Sequence, residues 1–406
     1  MSNTSKDTHS DTPAWARAAA FPNKPDSSPF GYLDTKGTAH PADSVEELVK
    51  NIRHARDGIG LVWTPESEKF VTPEEVPALW KPLRSRQKKL ASRDLSDGLR
   101  MGAVFGIALI WTAYSAYQRS HGKLEALYSH QLTGLAALLL LIFGLLPLYE
   151  GWKLKRRLRQ TSSKELANEI PEARFDAWLD RQSIPTTRIL LGAIILVGVI
   201  QQIIDWSHPS TGATHTSIER AGLLKLADPV WWRTFTGPML HGNIIHLLMN
   251  ASGLLYLGRR VETLARWPHL TLVFLAAMWT GSLTTTTMNP NMPSVGISGG
   301  LMGLLGFLLV FEFLHPNLVP RPARRRLLAG LILMLVIGKI GMSFIDNAAH
   351  LGGLALGLGY AFIVFPRSTS PQRPQTRSRD RIVGGLSSAA LIAITLLTIT
   401  KLLSNT

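Results

Sequence analysis

Nine stretches of about twenty apolar residues, each the span of a bilayer's hydrocarbon core, restrict this chain to very few folds. They lie near 100–118, 132–150, 187–205, 240–258, 269–287, 297–315, 326–344, 349–366 and 382–403. The first is the weakest, since it carries Trp111, Thr112 and two tyrosines. Nine such spans predict a polytopic all-α membrane protein. Loop charges check the count independently, because Lys and Arg collect on the cytoplasmic side. Basic clusters follow span two (Lys153, Lys155, Arg156, Arg157, Arg159), span four (Arg259, Arg260, Arg266), span six (Arg321, Arg324, Arg325, Arg326) and span eight (Arg367, Arg373, Arg377, Arg379, Arg381). Arg84, Arg86, Lys88 and Lys89 precede span one, and the intervening loops have little positive charge. The alternation places the N-terminus inside and the C-terminus outside.

That topology also explains the net charge of +15. In a soluble protein such a charge would suggest nucleic acid, whereas here it belongs to the cytoplasmic loops, and no nucleic-acid partner is expected. The chain has no cysteine, so disulfides and thiolate metal sites are excluded. Its first fifteen residues lack the apolar core of a signal peptide, so a later membrane helix is expected to direct insertion, and a bacterial plasma membrane is the expected location.

The composition divides the chain into segments. Residues 1–30 are rich in Ser, Thr, Pro and Asp and read as a disordered tail. Residues 31–98 read as a small cytoplasmic module. Ser44 and Glu47 form a capping box ahead of one helix, and Thr72, Pro73 and Glu75 repeat the signature ahead of a second short one. GLVWTPESEKFV between them reads as a hairpin. Two membrane helices follow within 99–150, then a basic linker over 151–186, a six-helix core over 187–366, a basic loop over 367–381 and a last helix over 382–406.

Polar groups inside a span are expensive and mark a candidate site. Span four opens with HGNIIHLLMN, placing His241, His246 and Asn250 at its start, the last two on one helix face. Span six opens with GISGGLMG, setting Ser298 among Gly296, Gly299, Gly300 and Gly303, and span eight opens with AHLGGLALG, which begins around His350. By the charge pattern these three spans run in the same direction. Ser298 stands eighteen residues before Pro316 and His350 sixteen before Pro366. At about 1.5 Å per residue, both lie roughly 24 to 27 Å above the inner boundary. Gly299 with Gly303 and Gly353 with Gly357 form faces of small residues that let helices approach closely. A serine needs a base to become a nucleophile, and matched depth makes Ser298 and His350 a candidate catalytic dyad. The Ser298 amide, the Asn250 side chain and the His246 ring are candidate oxyanion donors. The only acidic group near that depth is Asp346, so a dyad is favoured over a triad. Lys339 in span seven is a costly charge, for which Asp346 is a possible partner.

Taken in order, Trp232-Arg233, HGNIIHLLMN, GISG and AHLGGLALG resemble the rhomboid family of intramembrane proteases, over about 187–366. The resemblance implies Ser298 as nucleophile, His350 as base, and His246 and Asn250 as oxyanion stabilisers. It further implies a supporting role for His241, Trp232 and Arg233 as the outer-loop motif, and Gly296 and Gly299 as the flanks of the serine. It implies cleavage of transmembrane protein substrates that enter from the lipid bilayer and unwind near its outer face, without metal or cofactor. Two helices before the core and one after it depart from the simplest six-helix form. Two rival readings are a catalytically silent rhomboid-like binder of membrane clients and a transporter. The absence of an inverted repeat and the clustering of polar groups near one face weigh against the transporter.

Overall fold

The computed structural model describes residues 12–404 except 56, 126, 128, 129, 161, 209–214 and 342–344. Contacts divide the chain into two units, one of Thr12–Arg181 with Ile332–Ile345, the other of Gln182–Leu331 and Asp346 onward.

The first unit opens with a sheet of order β2-β1-β3, all antiparallel: β1 (Phe30–Asp34), β2 (Ala39–Ala42) and β3 (Ile59–Trp63). The β1–β2 turn forms because Asp34 Oδ1 accepts the amides of Lys36 at 2.9 Å and Thr38 at 2.8 Å, with Gly37 at φ +88°. Helix α1 (Val45–His54) starts at Ser44, whose hydroxyl accepts the Glu47 amide at 3.2 Å. Its apolar face buries Leu48 and Ile52 against Tyr32, Val62, Leu79, Leu83 and Leu166. The Trp63 indole packs against Gly31, where any Cβ would fall 2.1 Å from its ring, and its Nε1 donates to Ser28 O at 3.1 Å. Val62 and Val71 exchange both backbone hydrogen bonds, so the expected hairpin forms.

Two expectations for this region need correction. The first eleven residues of the expected tail lie outside the described residues, but 12–30 are held in place. Phe21 is buried, Lys24 Nζ donates to Thr64 O at 2.8 Å, and Arg174 donates to the carbonyls of Trp15 and Arg17 and to Glu75 Oε2. A polar composition hid these few apolar and carbonyl anchors, whose partners lie far along the chain. The second short helix is instead a pair of 3₁₀ turns, Pro73–Glu75 and Pro77–Leu79. They lead into α2 (Trp80–Arg119), forty residues that run unbroken through the expected boundary at 98/99. Helix α3 (Gln131–Gln160), which contains a π turn over Leu140–Leu145, packs antiparallel on α2. Small residues form the seam: a Cβ on Gly144 would fall 2.8 Å from Gly102 Cα, and one on Gly151 2.9 Å from Ala91 O. Helix α4 (Ile170–Asp180) then closes the unit by placing Phe175 edge-on to Trp15.

The second unit holds most of the remaining helices. These are α5 (Pro185–Ser207), the short α6 (Thr216–Ala221) and α7 (Arg233–Thr236), α8 (Ile244–Ala265), α9 (Trp267–Met288), α10 (Ser298–Leu314), α12 (Asn347–Val364) and α13 (Ser378–Leu403); α11 (Arg321–Ile340) crosses the division between the units. A helix lies at each of the nine expected positions, and five are long and apolar enough to span a membrane by length and composition alone. The protein is a polytopic, mostly helical membrane protein. Span four starts at Ile244 rather than near 240, because the Asn243 side chain caps it by accepting the His246 amide at 2.9 Å. Charges inside the unit are matched. Glu262 caps α5, accepting the amides of Thr186 (2.9 Å) and Thr187 (2.8 Å) and the Thr187 hydroxyl (2.7 Å). Arg260 and Glu312, each 1% exposed, form a bidentate pair between α8 and α10.

Removing one member of such a pair strands the other charge. We therefore expect Arg260→Met or Glu312→Leu alone to lower stability by about 3–5 kcal/mol, and the double replacement to recover most of that loss. Thermal unfolding in detergent checks this.

Candidate functional site

The site begins with a helix contact. Helices α10 and α12 meet backbone to backbone: a Cβ on Gly353 would lie 1.9 Å from Gly299 O, and one on Gly357 1.9 Å from Gly303 O. Helix α9 closes the third side, with Gly281 against Ala349 O and Gly352 beneath Thr284. Only glycine permits this approach. It carries Ser298, the first residue of α10, and His350, in the first turn of α12, to each other. His350 Nε2 and Ser298 Oγ are 2.8 Å apart, and both residues are partly buried.

Gly296 sets the approach of the third helix. Its φ is +111°, a region that side-chain residues rarely adopt. A Cβ there would meet the His246 ring at 2.7 Å and Asn250 Nδ2 at 3.5 Å, so α8 packs directly on the loop leading to the serine. Asn250 is buried, and its Nδ2 finds no hydrogen-bond partner among the described residues. The amides at the start of α10 have no acceptor within the helix, as at any helix N-terminus. Ser298, His350, His246 and Asn250 are therefore brought together, as are Gly296 and Gly299.

The supporting residues hold the surrounding loop. The backbone of His241 is clamped by Gln201, which donates to its carbonyl at 2.6 Å and accepts its amide at 2.9 Å, and its ring packs edge-on to His246. Arg233 is buried, donating to Gly222 O (2.8 Å) and Glu219 O (2.9 Å) and pairing with Asp228 at 2.7 Å. Trp232 meets two cations, Arg233 and Lys401, each 4.7 Å from its ring centroid. Lys401 belongs to α13, and Arg220 also donates to Leu402 O at 2.7 Å, so the added C-terminal helix is fastened to the loop motif. Asp346 finds its partners in the Ser294 hydroxyl and the Ala349 amide. The sequence reading passed over Gln201, Lys225, Glu262, Ser294 and the Arg260–Glu312 pair. A charge inside an apolar span could have flagged Glu312, but Arg260 and Glu262 fall just past the end of span four, and nothing local distinguishes Lys225 or Ser294.

The fold and this arrangement define an integral membrane protein that carries a rhomboid domain. Residues 228–367 match the model of the Rhomboid domain. Among curated relatives, the chain is 32% identical over 168 residues to "RHOMBOID-like protein 6, mitochondrial" of Arabidopsis thaliana, covering 40% of this chain and 54% of that one. It is 35% identical over 132 residues to "Rhomboid protease GluP" of Bacillus subtilis, covering 32% and 26%. It is also 31% identical over 174 residues to human "Inactive rhomboid protein 2", covering 42% and 20%. The chain thus spans about half, or less, of the length of the relatives it matches.

Because Gly353→Ala would drive a methyl group into the Gly299 carbonyl, we expect it to separate α10 from α12. The variant should lose several degrees of thermal stability, as overpacked interiors do at about 1–3 kcal/mol, whereas Gly359→Ala, which meets no neighbour within 4 Å, should not.

Proposed function

We propose that this chain is an intramembrane serine endopeptidase that hydrolyses peptide bonds in or near transmembrane segments of other membrane proteins. The observation that carries the reading is the 2.8 Å contact between Ser298 Oγ and His350 Nε2, with His246 and Asn250 packed against the adjoining loop. With the imidazole proton on Nδ1, the Ser298 hydroxyl donates to Nε2. As Oγ attacks the scissile carbonyl carbon, its proton passes to His350 and the carbonyl electrons move onto oxygen. The Ser298 amide, Asn250 Nδ2 and the His246 ring would donate to that oxyanion. Collapse expels the amine, which takes the proton from His350. A water then attacks the acyl-serine by the same route and releases the acid. No step calls on a metal or cofactor.

The catalytic unit is the six-helix core over 187–366, and the substrates are transmembrane proteins entering from the surrounding lipid. The charge alternation supports a cytoplasmic N-terminus, and we place the protein in a bacterial plasma membrane. The similarity to an inactive rhomboid keeps one second reading in play, a client binder of the same fold.

Labelling of the purified, detergent-solubilised protein by a fluorophosphonate separates the two. We expect labelling of the parent, none of Ser298→Ala, and a loss of at least about 100-fold in His350→Ala. A folded parent that does not label would move the assignment to the client binder. Asn250→Ala should slow substrate turnover by about 100- to 1,000-fold while leaving the protein folded, which kcat on a cleavable transmembrane reporter would show.

A further inference from the structure

Next to the dyad lies a polar network that the hydrolytic mechanism does not use. Asp346 is the N-cap of α12, the helix that carries His350 in its first turn, and its Oδ1 accepts the Ala349 amide at 3.0 Å. Its other oxygen, Oδ2, accepts the hydroxyl of Ser294. Ser294 stands four residues before Ser298, and its backbone pairs in both directions with Leu223, at 2.9 and 3.3 Å. Two residues beyond Leu223, Lys225 is only 3% exposed and sits at φ +58°, where side-chain residues are uncommon. Its Nζ donates to Thr285 Oγ1 at 2.7 Å and to Asn289 O at 2.8 Å, both at the end of α9. The Lys225 ammonium and the Asp346 carboxylate act on each other electrostatically, and Asp346 also acts on His350. The Asp346 carboxylate therefore joins the loop before the nucleophile to the helix of the base, and that loop is in turn paired through its backbone with the loop between α6 and α7.

We infer that Asp346 is a positioning residue, which with Ser294 and Lys225 locks the loop carrying Ser298 to the first turn of the helix carrying His350. A helix cap alone would need one side-chain oxygen. Here the second oxygen crosses to another segment, and the buried Lys225 ammonium offsets part of the carboxylate's charge. Asp346 is not offered as a third catalytic member, since its side chain accepts from Ser294 and the Ala349 amide rather than from the His350 ring. It acts through geometry, by holding the first turn of α12 in register with the start of α10. The inference rests on the protease reading for its kinetic consequence, and on the fold alone for the locked geometry.

The test uses the full chain in detergent with the fluorophosphonate. Ser294→Ala and Asp346→Ala should each slow the maximal labelling rate by about 10- to 100-fold with probe affinity unchanged, the effect expected when reacting groups are misplaced. The double variant should be no slower than Asp346→Ala, because both remove the same link, and Asp346→Asn, which can still cap α12 and meet Ser294, should recover most of the loss. Singles within about two-fold of the parent, or a double variant slowed by the product of the two singles, would overturn the inference. If Asp346→Ala does not fold, Ser294→Ala, which deletes one hydroxyl, decides alone. If the parent itself does not label, the protease reading fails separately, and nitrogen NMR of the His350 ring, assigned with His350→Ala, decides on the lock. A ring signal displaced in Ser294→Ala supports it, and one unmoved in both single variants refutes it.

Discussion

Everything at the candidate site depends on two helices touching through their backbones. Had Gly353 or Gly357 carried a side chain, its Cβ would fall 1.9 Å from the carbonyl of Gly299 or Gly303, α10 and α12 would stand further apart, and the Ser298–His350 contact would open. In a membrane interior, where lipid is as apolar as leucine, packing of this kind is a main source of helix association. The same contact that holds the core together therefore also brings Ser298 to His350. A second seam of the same type, Gly102 against Gly144, joins the two helices that precede the core, so the chain uses one packing rule for both halves of its membrane structure.

The polar side chains of the core show the converse rule. Glu262 is consumed by the start of α5, Arg260 and Glu312 by each other, and Gln201 by the backbone at His241. Each answers a local electrostatic need, as burial in a low dielectric demands. The Asn250 amide is buried beside Gly296 and donates to no described residue, and the ring nitrogens of the neighbouring His241 are likewise without a described partner. A donor left uncommitted next to a serine and histidine pair suits a charge that develops only during reaction.

How far the sequence could be read follows from where each signal resides. Hydropathy located the nine helices because a membrane span is a property of a continuous window, and Ser298 and His350 stood out as polar groups at span starts whose depth could be counted from Pro316 and Pro366. The start of α8 was displaced by a few residues, since a window average does not register a cap such as Asn243. Residues 12–30 were misjudged for a different reason: Arg174, which binds the carbonyls of Trp15 and Arg17, lies more than 150 positions away in sequence. Lys225 was equally invisible, because its partners Thr285 and Asn289 are sixty or more residues distant and its own surroundings look like an ordinary loop. Local patterns reveal elements and caps; a partner chosen by tertiary folding leaves no local trace.

Helix α2 carries one more implication. Its first residues belong to the core of the sheet module through Leu83, and its far end is apolar and exposed at Ile107, Ile110 and Trp111. With forty residues and no proline beyond Pro82, it is a rod of about 60 Å. No hinge separates the part that folds with the sheet from the part that meets lipid. Anything that tilts or twists the module must turn the shaft as a whole, and α3, meshed with it glycine to glycine, must turn as well. The module is thus geared to the bilayer rather than suspended from it.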